Sequence, residues 1–300
     1  MAFRRLGTVR IMHPGCSRLI LALPAHPHPP AAGGTIPPPA PGVDHRLVLD
    51  ACHVVTNDAS EEPAGYLSED REGHYRVPAP SDEPQLVAGE YFYHPVPPST
   101  TTIPNYPIVT DFAAWKFPHM LPDHWIRPEP SLEEIADLRR LYGGCSPRDM
   151  RPAVRFRDNA CLATGERYFC LTQVAHLVPP AHQDWFHRND MARYNWGWAR
   201  NGVHDPANGL TLRVKWIKML GLNLIVFFPA GEGKFMTYVC YPSLGDCPDV
   251  HRTLVTIPRR VPEAFLYARF AYTMITLVAR NSKLDAFPLP EGVKPSRKGG

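Results

Sequence analysis

The residues best placed for hydrolytic chemistry are one histidine, His176, and one asparagine, Asn208. His176 ends an apolar stretch that the pattern predicts as a strand, which the prolines at residues 179–180 terminate. Asn208 lies in the turn D-P-A-N-G-L of residues 205–210, before a segment with helical character at residues 211–222. A histidine can accept a proton from water near neutral pH, and a helix can present a metal ligand opposite it. A strand histidine, a turn asparagine and a following helix could therefore form one hydrolytic site.

Three motifs around these residues resemble the fungal branch of the HNH endonuclease family. The chain has C-x-x-T-G at residues 161–165, A-H-L-V-P at residues 175–179 and N-G-L-x-L-R at residues 208–213. The resemblance implies an α+β protein with a ββα-metal core (the HNH or His-Me finger fold) and flanking helices. It implies that His176 is the general base and that Asn208 orients the loop or the metal. It also implies hydrolysis of nucleic-acid phosphodiesters, with DNA as the expected substrate and Mg²⁺ or Mn²⁺ as cofactor.

The helix that follows departs from the family pattern. The family continues from its arginine as R-x-D-x-H, whereas Lys215 and Ile217 follow Arg213 at the acidic and histidine positions. Neither an ammonium group nor isoleucine can bind Mg²⁺, which takes oxygen ligands. The residues between the matched motifs that could substitute as ligands are His182, Asp184, His187, His204 and Asp205. If a metal is bound, Asn208, His204 and Asp205 are its predicted ligands.

Two functions remain open from the sequence. The first is an HNH-type endonuclease whose metal is held by substitute ligands. The second is a catalytically inactive pseudonuclease that uses the fold as a nucleic-acid or protein interaction module. A structural protein with no affinity for polyanions is a third class, and it would show no salt-dependent DNA binding.

Basic residues flank the motifs and are candidates for phosphate contacts. The predicted nucleic-acid-binding residues are Arg155, Arg157, Arg213, Lys215 and Lys218. For Arg155 and Arg157 the alternative is an ordinary solvated basic face.

Apolar patterns place the elements that must position the site. Strands at residues 160–164 and about 169–176 would form a hairpin that His176 ends, with Asn208 directly before a helix that crosses it. Residues 223–229 and 234–240 predict a second hairpin behind the motif.

Two further helices are predicted. Ser131 and Glu134 have the spacing of a capping box, before a helix over about 131–142 with apolar residues at helical spacing. Residues 262–280 predict a core helix that is too short for a membrane span and is interrupted by Arg269. No membrane association is expected.

The N-terminal third predicts a small antiparallel β region before the nuclease-like core. Residues 47–55 are an unbroken apolar run typical of a buried strand, and residues 91–95 are a second. Residues 65–67 and 74–77 predict shorter strands between them.

Two other motifs also resemble the fungal proteins. The first is F-P-H at residues 117–119, and the second is W-F followed by N-x-M-x-R-Y-N within residues 185–195. Residues 181–194 have helical spacing, and their aromatic residues predict a packed lid. His119 and His124 are more simply explained by packing and loop positions than by metal ligation.

Composition divides the chain into four parts. Residues 1–43 are rich in proline and are predicted to form a disordered arm. Residues 44–130 are predicted to contain the small β region and a linker, and residues 131–285 the nuclease-like domain. Residues 286–300 are predicted to be a disordered basic tail. The formal net charge of +3 is only mildly basic, so it neither requires nor excludes a nucleic-acid partner. Seven cysteines without a C-x-x-C pair favour a reduced, intracellular compartment, the nucleus or the cytoplasm.

Overall fold

The protein combines helices and strands in an α+β arrangement. The computed structural model describes residues 6–16, 18–27, 40–57, 65–81, 84–95, 106–128, 131–142, 150–196, 199–241 and 247–285. The strands are β1 (Gly7–Met12), β2 (Leu19–Ala25), β3 (Gly42–Asp44), β4 (Tyr66–Ser68), β5 (Gln85–Val87), β6 (Gly89–His94), β7 (Thr172–His176), β8 (Gly209–Arg213), β9 (Ile225–Pro229), β10 (Phe235–Val239) and β11 (Leu254–Val255). The α-helices are α1 (His45–Thr56), α2 (Leu132–Tyr142), α3 (Met150–Asp158), α4 (Gln183–Arg188), α5 (Val214–Gly221) and α6 (Glu263–Asp285).

The N-terminal β region is a four-stranded sheet in the order β2-β1-β6-β4. Strand β1 pairs antiparallel with β2 and parallel with β6, so the sheet is mixed rather than purely antiparallel. The predicted strands at residues 65–67 and 91–95 are confirmed as β4 and β6, which pair with each other. The stretch predicted at residues 74–77 contributes only an isolated bridge between Arg76 and Ser68.

The prediction that residues 1–43 form a disordered arm is wrong for its two apolar stretches. Strands β1 and β2 lie inside it, and Val9, Ile11, Leu21 and Leu23 have at most 1% of their surface exposed. Their burial depends on β6, which lies about eighty residues further along the chain, and local composition does not show a partner so distant. Residues 28–39 and the predicted tail at residues 286–300 lie outside the described residues.

The predicted strand at residues 47–55 is wrong, because this stretch is the helix α1. Asp44 caps its start by accepting a hydrogen bond from the backbone N–H of Leu47 at 3.0 Å, and Asn57 ends it in the left-handed conformation. An unbroken apolar run does not distinguish a buried strand from a helix that is buried on most sides. Here ten of the twelve helical residues are buried.

The predicted nuclease-like core contains a ββα unit, but its strands pair differently from the prediction. Residues 161–164 form a turn, and β7 instead pairs antiparallel with β8, so that His176 lies opposite Gly209. The predicted helix at residues 211–222 begins only at Val214, because residues 209–213 are a strand. The prediction that the hairpin starts near Cys161 and that Asn208 directly precedes a helix is therefore wrong, since β8 separates Asn208 from α5.

The other predicted elements are confirmed. β9 and β10 pair antiparallel as the second hairpin, and α6 spans the predicted core helix. At the start of α2 the Ser131 Oγ accepts from the N–H of Glu134, and the Glu134 carboxylate accepts from the N–H of Ser131, which is the predicted capping box. Residues 181–194 fold as the short helix α4 and a 3-10 turn.

Helix α6 joins the N-terminal sheet to the ββα unit. It packs on α1, β2 and β9, and one hydrophobic cluster runs from β1 to α6 across the predicted boundary at residues 130/131. Buried Arg269 of α6 donates hydrogen bonds to the carbonyl of Leu220 and, at 2.8 Å, to the side chain of Asn223. Because the last carbonyl groups of a helix attract cations, Arg269 fixes the C-terminal end of α5. No helix in the described ranges has the length and apolar content needed to cross a membrane.

Candidate functional site

His176 is positioned by the last pair of the β7–β8 ladder. Its backbone lies opposite Gly209, and the next residue, Leu177, donates its N–H to the carbonyl of Asn208 at 2.9 Å. The His176 Nε2 atom lies 3.2 Å from the Nδ1 atom of His204, and the two imidazole rings are nearly perpendicular. The structure therefore brings together His176, Asn208 and His204, three of the residues that the sequence indicated.

Asn208 holds both ends of the loop that separates β7 from β8. Its Oδ1 accepts from the N–H of Val178 at 2.8 Å, and its Nδ2 donates to the carbonyl groups of Val178 and Val203 at 2.9 and 2.8 Å. The side chain is fully buried. It thus orients the loop, as the resemblance implied, but it offers no accessible oxygen to a cation, which disagrees with its predicted role as a metal ligand.

Asp205 also has a backbone role. Its Oδ1 accepts from the N–H groups of Ala207 at 2.9 Å and Trp196 at 3.3 Å, and its exposed fraction is zero. The carboxylate caps the turn that leads into β8. A buried side chain committed in this way does not fit the predicted metal-binding role.

Gly209, the glycine of the N-G-L motif, lies where α3 crosses β8. A Cβ atom at this position would stand 2.8 Å from the Met150 Cε and 3.0 Å from the Val154 Cγ2. A larger residue here would require the end of the Met150 side chain and the Val154 side chain to shift. The motif glycine therefore serves the attachment of α3 to the ββα unit.

Arg157 is buried, which contradicts its predicted role in nucleic-acid binding. Its guanidinium pairs with the Asp158 carboxylate at 2.7 Å and donates to the carbonyl groups of Pro206 at 2.9 Å and Gly209 at 2.6 Å. The side chains of Arg157 and Asp158 are 2% and 0% exposed. Asp158 in turn accepts from the N–H of Thr211 at 2.7 Å. This pair ties α3 to both sides of the Asn208 turn and is structural.

The other predicted basic contacts differ in accessibility. Arg155 is half-buried, donates to the carbonyl of Thr172 at 2.8 Å and stacks on the Phe169 ring at 3.5 Å. Arg213, Lys215 and Lys218 are exposed on and beside α5. Lys215 forms an ion pair with Asp249, which is itself exposed.

The donor set does not fit the Mg²⁺ or Mn²⁺ that the resemblance implies. Ile217 of α5 packs against the hydrophobic core, and α5 carries no carboxylate or imidazole. Of the proposed substitutes, His204 alone is hydrogen-bonded to His176, while His182 packs edge-on against Phe112 and Tyr272. Asp184 and His187 are exposed on α4. Among the described residues no group of three His, Cys, Asp or Glu side chains could hold a metal ion.

Burial and neighbouring groups lower the pKa of His176 to about 4, with desolvation as the largest cause, followed by His204 and Arg151. The imidazole is therefore neutral at pH 7. A neutral imidazole has the lone pair that a general base requires. Sequence reasoning missed the influence of Arg151, because nothing local relates this arginine of α3 to His176.

One comparison with known proteins found a match. Residues 161–227 match the family model for HNH endonucleases. We refer to these residues as the HNH segment, and it contains β7, His176, Asn208, β8 and α5 but less than a quarter of the chain. Comparisons with curated proteins and with solved structures found no match.

We predict that Arg157→Ala lowers the free energy of unfolding by about 3 to 5 kcal/mol, because it leaves the Asp158 carboxylate buried without its cation. The matched control is Arg151→Ala, at an exposed position of the same helix. It should change the free energy of unfolding by less than about 0.5 kcal/mol. Urea titrations followed by circular dichroism measure both. Equal, small effects would mean that Arg157 is accessible after all.

We also predict that folding becomes less stable as the pH falls from about 6.5 towards 4. The unfolded chain binds a proton at residue 176 below its ordinary pKa of about 6.5, whereas the folded chain does so only near 4, so protonation favours unfolding in this window. When the pH is lowered from 7.5 to 5.0, the free energy of unfolding of the wild type should fall by about 1 to 2 kcal/mol more than that of His176→Gln, as measured by urea titration at each pH. His94 and His182 also have lowered pKa values, and the comparison of the two proteins cancels their contribution. Identical losses would contradict the burial of His176.

Proposed function

We propose that the HNH segment is a ββα-metal domain that binds nucleic acid and whose metal-dependent cleavage is reduced or absent. The observation that carries the proposal is the contrast between its two halves. The strand half presents a neutral His176 at the end of β7, beside a loop that Asn208 fixes. The helix half presents Lys215 and Lys218, with Ile217 packed inward where the family pattern has a histidine.

His176 can act as a base only in one tautomer. If its Nε2–H donates to the Nδ1 of His204, its Nδ1 keeps a lone pair for a water proton, whereas the reverse hydrogen bond occupies Nε2. His204 is thus proposed as a positioning residue that selects the tautomer. General base catalysis alone contributes about 10² to 10⁴ in rate, far less than hydrolysis of a phosphodiester requires.

Binding does not need the metal. Arg213, Lys215 and Lys218 are exposed along one end of the ββα unit, and cationic side chains on a surface attract phosphate through counterion release. Arg155 extends this basic character towards β7 and is held against Phe169. The proposed partner is nucleic acid, with DNA as the first candidate.

We expect the wild type to nick supercoiled plasmid DNA weakly or not at all in Mg²⁺ or Mn²⁺. Lys215→Asp combined with Ile217→His should produce metal-dependent nicking, because it adds a carboxylate and an imidazole to α5. The new carboxylate would lie near Asp249, the present partner of Lys215, which supplies a further oxygen ligand. His176→Ala in this background should abolish the nicking.

Robust metal-dependent nicking by the wild type that His176→Ala removes would overturn the proposal of reduced activity. It would mean that substitute ligands exist, and His204→Ala would then be the first variant to test. Loss of activity in His176→Ala alone, without any metal requirement, would instead exclude a metal-dependent enzyme.

We further expect the affinity for DNA to fall as the salt concentration rises. This salt dependence should become weaker when lysines of α5 are neutralised. Each phosphate contact contributes about 0.9 to the slope of log K against log salt on duplex DNA. Lys215→Gln with Lys218→Gln should therefore reduce the slope by one to two. The control Lys234→Gln, an exposed lysine in the β9–β10 turn, should leave it unchanged. Absence of any salt-dependent binding would favour a structural or protein-interaction role. Fluorescence anisotropy with a labelled duplex measures these constants.

A further inference from the structure

A cavity apart from His176 brings together two motifs that the candidate site does not use. Its volume is about 510 Å³, within the range of small-molecule sites, and it is lined by the end of α1, the segment around F-P-H and the residues that follow α4. Lys116 and Phe117 come from the first motif region, and Arg188 and Arg193 from the second. Neither His176 nor any residue of α5 lines it.

Two asparagines fix the backbone of this cavity. The Asn57 Oδ1 accepts from the N–H of Lys116 at 2.9 Å, and the Asn189 Oδ1 accepts from the N–H of Phe117 at 2.8 Å. Asn189 also donates to the carbonyl of Trp185 at 2.9 Å, which anchors it to α4. The segment that carries Lys116 is thus held from both sides. A preorganised wall loses little conformational freedom when a ligand binds.

The rim and the floor of the cavity differ in chemistry. Lys116, Arg188 and Arg193 line it and are exposed, and among the described lining residues Asp190 is the only one with a carboxylate. Arg188 donates from Nη2 to the carbonyl of Ala113 at 2.8 Å, which holds its guanidinium at the wall. The floor is formed by buried side chains, Val54, Trp115 and Tyr267.

We propose that this cavity binds a phosphate ester of nucleotide size, with the phosphate at the cationic rim and the base against the apolar floor. Two of the three cations are arginines, whose planar guanidinium matches phosphate oxygens in a bidentate manner. An apolar floor beneath favours an anion that carries an apolar or aromatic body over a simple ion. The source is either a free nucleotide or the 5′-terminal nucleotide of a nucleic-acid strand, which have the same chemistry.

The test is isothermal titration calorimetry of the full chain with each of the four 2′-deoxynucleoside 5′-monophosphates, the corresponding nucleosides and inorganic phosphate. At least one monophosphate should bind at least tenfold more tightly than its nucleoside and than inorganic phosphate. Lys116→Gln with Arg193→Gln should weaken it at least tenfold. The control Arg140→Gln with Lys234→Gln removes the same charges at exposed sites outside the cavity, and it should stay within twofold of the wild type.

A second arm compares an oligonucleotide with a 5′-phosphate and the same oligonucleotide with a 5′-hydroxyl, in the Lys215→Gln, Lys218→Gln background that weakens contacts to α5. A phosphate-dependent gain lost in the cavity variant identifies a strand end as the ligand. Tight binding of a monophosphate without that gain identifies a free nucleotide. The proposal is overturned if no probe binds, if the cavity variant binds as the wild type does, or if a nucleoside or phosphate alone binds equally well. None of these results depends on DNA cleavage, and the calorimetric results do not depend on α5, so the proposed function can fail separately.

Discussion

The hydrogen bonds of Asn208 hold the candidate site together. This side chain joins the backbone after His176 to the backbone before β8, so the loop of some thirty residues between them begins and ends at one fixed point. Because the side chain is fully buried, its three bonds are not in competition with water. The position of His176, its contact with His204 and the direction in which β8 leaves all depend on this closure.

The same scaffold explains how the ββα unit of the HNH segment keeps its structure without metal ligands on its helix. In small metal-binding domains the ion often supplies part of the folding free energy. Here the ββα unit is secured by other means, namely the Arg157–Asp158 pair, the close contact of α3 at Gly209 and the hold of Arg269 on the end of α5. Ile217 adds apolar contact with the core. Because packing and Arg269 fix the position of α5, no metal ion is needed to hold this helix against the strands.

The N-terminal region is part of the same body as the HNH segment. Helix α6 contacts α1 and β2 on one side and β9 on the other, and aromatic rings of residues 112–117 pack against Trp185 and Tyr267. One side of the loop between His176 and Asn208 is therefore covered by the aromatic side chains of residues 112–117 and is not exposed to solvent. The cavity proposed to bind a phosphate ester lies where α1, the F-P-H region and this loop meet, and residues of all three line it.

The sequence by itself determined the elements whose signals are local. The capping box of α2 needs only Ser131 and Glu134, the β9–β10 hairpin needs two apolar runs and a glycine turn, and α6 has a long apolar pattern. The resemblance of its motifs to the HNH endonuclease family also indicated that His176 and Asn208 share one site.

Only the tertiary structure decided the features that depend on distant partners. Residues 7–12 and 19–25 form strands because β1 pairs with β2 on one side and with the distant β6 on the other. Residues 209–213 form a strand rather than the first turn of a helix because β7 lies beside them. Arg157 looks like a surface cation in the sequence, yet Asp158 and two carbonyl groups surround it in the folded chain. Asn208 and Asp205 have the donor atoms of metal ligands, but the backbone takes up those atoms. Local pattern gives the chemistry that a side chain could offer, and only the fold determines which neighbour uses it.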